Sequence, residues 1–113
     1  MKAKTPHFAL VRVKQLVEAG QFMIQEGKAL AFLGGSFKEA RTAMKGVVAS
    51  LTTRSFAHSQ QLPWDIADVY ALRYGGSGWY LKLTIDEMVP EVAIISFHPL
   101  QAPIRTNGGV VKP

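Results

Sequence analysis

Three histidines, one tyrosine and one lysine hold most of the chemistry this chain could perform. His58 lies near the end of TTRSFAHS (Thr52–Ser59), a stretch rich in β-forming residues. His98 closes EVAIISFHP (Glu91–Pro99), an apolar strand pattern stopped by proline. Between them, WYLKLTI (Trp79–Ile85) alternates, so Tyr80 and Lys82 share one face while Trp79, Leu81, Leu83 and Ile85 share the other. In an antiparallel meander, side chains of neighbouring strands meet across one sheet face. That face would gather imidazole, phenol, ammonium and the guanidinium of Arg73. The set suits cleavage of RNA by its own 2′-hydroxyl, which needs a base for that proton and an acid for the departing 5′-oxygen. It also needs cations or donors for the charge on the phosphorane, and no metal. Histidine, with an ordinary pKa of about 6.5, can serve as acid or base at neutral pH. A placed proton-transfer group contributes ~10²–10⁴-fold, and donors aimed at the developing charge add comparably.

Each residue also has a plain structural reading. A histidine at a strand end is commonly a surface or packing residue, His7 follows a helix-start signal, and tyrosine and lysine are ordinary on a half-wet strand. The histidine spacings are wide and match neither H-x-x-x-H nor H-E-x-x-H, so the sequence offers no metal site. No nucleophile-elbow sequence supports a serine triad. Gly75-Gly76-Ser77-Gly78 lacks phosphate-loop spacing and reads as a hairpin turn.

The elements that must position these groups follow from periodicity. Thr5-Pro6 predicts a helix start, Leu10, Val13, Leu16 and Val17 a helical stripe, and Gly20 its stop. Gly27–Leu33 reads as a short second helix. Ser36-Phe37-Lys38-Glu39 is a capping box opening a third, with Phe37, Ala40, Met44, Val47, Val48 and Leu51 on one face. Four strands follow, over Thr52–Ser59, Ile66–Tyr74, Trp79–Ile85 and the run from Glu91. The expected fold is α+β, N-terminal helices packed on an antiparallel sheet, in one domain over residues 1–98. Residues 99–113 lack periodicity and read as a flexible tail.

Composition bounds the rest. A chain of 113 residues can bury roughly two-thirds of its unfolded surface, and no apolar run approaches the ~18 residues needed to cross a bilayer. There is neither a secretory pattern nor a cysteine, so the expectation is a cytoplasmic protein without disulfides. The net charge of +5 is uneven. Nine of the basic residues, Arg54 among them, precede Pro63 against three acids, which favours a polyanionic partner.

An ordered set of motifs spans the chain: TPH…VK-LV-AGQ…AL (Thr5–Leu30), SF-x-x-S (Ser55–Ser59), DVY (Asp68–Tyr70), YLK-x-T-I (Tyr80–Ile85) and V-I-x-SF from Val92 to Phe97. Over residues 5–98 it resembles the MqsR family, toxins of bacterial type II toxin–antitoxin pairs. The resemblance implies a RelE-like fold and a metal-independent, cofactor-free endoribonuclease that cuts mRNA near GC-containing sites, arrests growth and is inhibited by a cognate antitoxin. It also implies a catalytic tyrosine with two lysines and a glutamine. The tyrosine maps onto Tyr80 and the lysines onto His98 and His58, while Ala67 stands at the glutamine position. Catalysis is thus assigned to His58, Tyr80 and His98, with Lys82, Arg73 and Arg54 as substrate contacts. The competing readings are a basic module that binds RNA without cutting it, and one that docks on an acidic partner.

Overall fold

The computed structural model describes residues 3–25 and 27–113. The order is α1 (Leu10–Glu18), β1 (Phe22–Ile24), α2 (Gly27–Phe32), α3 (Phe37–Ser50), β2 (Phe56–Gln61), β3 (Ile66–Tyr74), β4 (Ser77–Asp86), β5 (Glu91–Pro99), β6 (Ile104–Thr106) and β7 (Gly109–Val111). The fold is α+β. No helix among the described residues is long and apolar enough to cross a membrane.

Strands β2 to β5 form the expected meander, and β1 adds to its far side in the order β1-β5-β4-β3-β2. The sheet is mixed and not purely antiparallel, because β1 runs parallel to β5, pairing Phe22 with Val92 and Ile24 with Ile94. Three residues are too short a run to show a period, which is why β1 is not evident in the sequence. Arg41 of α3 fixes it, donating to the carbonyls of Phe22 at 2.7 Å and Gly20 at 2.9 Å while lying 4.0 Å over the Phe22 ring.

The core lies between the helices and one sheet face. Val13 and Val17 of α1 and Met44, Val47 and Val48 of α3 are buried with Tyr70, Leu81, Leu83, Ile94 and Phe97. The alternation read in β4 is the alternation observed, which leaves Tyr80 and Lys82 on the face away from this core.

Helix α1 begins at Leu10, not beside Thr5-Pro6, and Ala9 at its N-cap makes no side-chain cap. The reason is long-range. The carboxylate of Asp68, fully buried on β3, accepts from the amides of His7 at 3.0 Å and Phe8 at 2.9 Å, and from Ser59 Oγ at 2.6 Å. Those amides are used before a helix could claim them, and Phe8 turns into the core. At the other end of the helical region Ser36 caps α3 as expected, accepting from the Glu39 amide at 3.1 Å. Thr52–Ser55, expected to begin a strand, is instead a capped 3-10 turn. The Arg54 amide donates to Thr52 Oγ1, and the Thr52 amide donates to Ser55 Oγ.

Residues 104–111, expected to be an aperiodic tail, form the β6–β7 hairpin, with Ile104 opposite Val111 and Thr106 opposite Gly109. Asn107 at its turn is clamped on both sides. Its Oδ1 accepts from the Lys4 amide at 2.8 Å, its Nδ2 donates to the carbonyls of Lys4 and Thr53, and its amide donates to Phe56 O at 3.0 Å.

Candidate active site

The open face of the sheet is built in rows. Tyr80 on β4 stands opposite His98 on β5 and Ala71 on β3. One row along, Lys82 lies between Ser96 and Val69, and Val69 in turn pairs with His58 on β2. Residues directly opposite in an antiparallel ladder point to the same face. The imidazoles of His58 and His98, the phenol of Tyr80 and the ammonium of Lys82 therefore share one side of the sheet.

Tyr80 and His98 touch. Their rings stack with centroids 4.8 Å apart and planes inclined by 10°. Behind them, on the core side, Trp79 and Phe97 form a second parallel stack at 4.7 Å, and Tyr74 meets both edge-on. Trp79 is held in turn by its indole N–H, which donates to Tyr74 O at 2.8 Å. Two ring stacks on opposite sides of the same strand pair give the outer one little freedom, as a pre-organised site requires.

His98 Nδ1 lies 2.9 Å from the Pro99 carbonyl oxygen. A carbonyl can only accept, so Nδ1 carries the proton, and Nε2 is left to accept when the ring is neutral and to donate when it is cationic. This is what the imidazole at the exit of a core strand obtains from its proline. Tyr80 is half-buried, and burial pushes its phenol above the ordinary tyrosine value, so it stays protonated and can donate.

The remaining candidates are placed differently. His58 is exposed and stands two strands from Lys82, roughly 10 Å at the usual strand spacing, so it faces the pair across Val69 rather than joining it. Arg73 lies on the open face opposite Gly78, but its guanidinium is engaged, donating to Gly76 O at 2.5 Å and Lys112 O at 3.3 Å. Arg54, exposed in the 3-10 turn, runs beside the hairpin at Gly108. His7 packs edge-on to Phe8 at 4.7 Å and contributes its backbone to the Asp68 anchor. Among the described residues no group of three or more acids or histidines is arranged to hold a metal ion.

Sequence reasoning missed Asp68 as an anchor and the hairpin that packs on β3 and against Gly78. The signal for the second was present: Asn107-Gly108 between short β-forming runs is the strongest local hairpin cue.

The result is a small mixed sheet, apolar toward its helices and carrying the stacked Tyr80–His98 pair on its other face, with Lys82 one row away. The chain belongs to the family described as motility quorum-sensing regulator, toxin of MqsA, whose model matches residues 5–99. It is thereby the toxin member of a toxin–antitoxin pair. No curated protein matches it.

Proposed function

We propose that this toxin is a metal-independent endoribonuclease that cleaves mRNA in the cytoplasm through the RNA's own 2′-hydroxyl and so arrests growth. On this reading the fold is RelE-like and an antitoxin protein is the inhibitor. The observation that carries the proposal is the Tyr80–His98 stack on the open face, backed by Trp79 and Phe97. It offers an imidazole of fixed tautomer beside a protonated phenol, with Lys82 one row away.

Each group has a task in the reaction. His58, three strands from His98, takes the proton of the attacking 2′-hydroxyl as general base through bridging water across Val69 rather than by direct contact. His98, through Nε2, protonates the departing 5′-oxygen, and between these events its N–H contacts the phosphate. Tyr80 donates to a non-bridging oxygen, and Lys82 offsets the extra negative charge of the phosphorane. The 2′-oxygen–phosphorus bond forms as the phosphorus–5′-oxygen bond breaks, leaving a 2′,3′-cyclic phosphate and a 5′-hydroxyl. Histidine where the family uses lysine moves proton transfer into the neutral range, since lysine near its ordinary pKa is chiefly a fixed charge there.

The test is digestion of a defined mixed-sequence RNA in EDTA, wild type beside His98→Ala, with product ends identified. Cyclic-phosphate ends and a variant at least ~100-fold slower are expected. Equal cutting by both would remove His98 from the site. No cutting by either would leave a module that binds without catalysis.

A further inference from the structure

The β6–β7 hairpin lies beyond the residues that the family model matches, yet it stands on the same sheet face as the ring pair. A Cβ at Gly78 would collide with the Lys112 carbonyl oxygen, so the end of the hairpin rests directly on β4, two residues before Tyr80. At the other end Gly108 is pressed against Arg54, whose Cβ and backbone oxygen are both 3.0 Å from where a Cβ would be. The Gly108 amide donates to Arg54 O at 2.9 Å.

The hairpin is flanked by two hollows of about 270 and 330 Å³. Lys4 and Arg105 line the first, Arg54 and Arg73 the second, and no aspartate or glutamate lines either. Ala71, the cross-strand neighbour of Tyr80, lines the second, so that hollow reaches the β3 position beside the ring pair. Lys4, Arg54, Arg73, Arg105 and Lys112 are all exposed, and among the described residues none is in an ion pair. Unpaired cations concentrated beside a site, with acids excluded, attract a polyanion.

We infer that the hairpin and the 3-10 turn beneath it form a cationic track that holds the RNA strand flanking the scissile phosphate, with Arg54 and Arg105 as phosphate contacts. This rests on the endoribonuclease reading above. Arg73 is a positioning residue here, because its donors hold Lys112 and thereby the hairpin. Asn107 positions the opposite end.

The experiment uses the full chain and a fluorescein-labelled, mixed-sequence RNA with every 2′-hydroxyl methylated, which can bind but cannot cleave itself. Affinity is read by anisotropy over a salt series for wild type, Arg54→Ala, Arg105→Ala and Asn107→Ala, with thermal melts to establish that each is folded. Each arginine lost should flatten the slope of log K against log salt by about 0.7, the value for one phosphate contact on a single strand. Asn107→Ala keeps every charge but frees the hairpin, so weaker binding with a flatter slope is expected there too. Unchanged affinity and slope in both arginine variants would overturn the track while leaving cleavage untouched. If wild type cuts no natural RNA yet binds the methylated strand with the expected slopes, the endoribonuclease reading fails and the track stands. Loss of affinity for polyglutamate, with RNA binding intact, would assign the track to an acidic protein and overturn the inference.

Discussion

Tyr80 and His98 differ in what each can lose. Tyr80→Phe keeps the ring and so the 4.8 Å stack, and removes only the phenolic donor. Single-turnover cleavage should fall about 10²-fold, the usual effect of deleting one donor to a developing charge. Affinity for the methylated RNA should barely move, which would separate a chemical role from a packing one. Because burial raises the Tyr80 pKa, the phenol remains a donor up to and beyond about pH 10, the ordinary tyrosine value. A loss of activity at lower pH should therefore persist unchanged in Tyr80→Phe. At this scale the sequence was informative, since strict alternation in β4 put Tyr80 and Lys82 on one face. It was uninformative for Arg73, whose engagement by Lys112 joins positions 39 residues apart.

Among the elements, β3 carries the most consequence per residue. Asp68 ties it to β2 through Ser59 and to the segment before α1 through two amides. Asp68→Asn keeps the size but replaces one acceptor oxygen with a donor group that faces other donors. It should destabilise the fold by about 3 kcal/mol, as loss of charged hydrogen bonds in a buried setting does. Urea denaturation should show a lower midpoint with an unchanged m-value, and hydrogen exchange at Phe8 should quicken. The start of α1 was misread for this reason: Thr5-Pro6 is a sound local signal that a partner sixty residues away overrides. The third helix was legible because its cap is local, Ser36 to Glu39. The hairpin was hidden by the short length of its strands, three residues each, although its turn was readable.

For the whole molecule, one flaw in the core sets the alkaline limit. The Tyr70 hydroxyl is buried and finds no hydrogen-bond partner among the described residues. Burial first, and then the nearby Asp68 charge, push its pKa well above the tyrosine range. The folded chain thus holds a proton that the unfolded chain releases. Stability is fully present below about pH 10, the unfolded phenol value, and declines as pH rises through the window up to the raised folded value. Tyr70→Phe should stabilise the fold at neutral pH by about 1 kcal/mol, since an unpaired buried group is deleted while the ring contact with Phe56 stays. It should also flatten the decline above pH 10, measured as urea stability against pH.

Strand β5 is the last of the large sheet to be made, yet among the described residues it lies between β1 and β4 and pairs with both. A growing chain can pair β2, β3 and β4 early, while β1 waits with no strand to receive it. The sheet becomes continuous only when residues 91–99 arrive, and they bring His98 with them. No shorter nascent chain holds both a complete large sheet and the Tyr80–His98 pair, so the two arise together, before the β6–β7 hairpin docks.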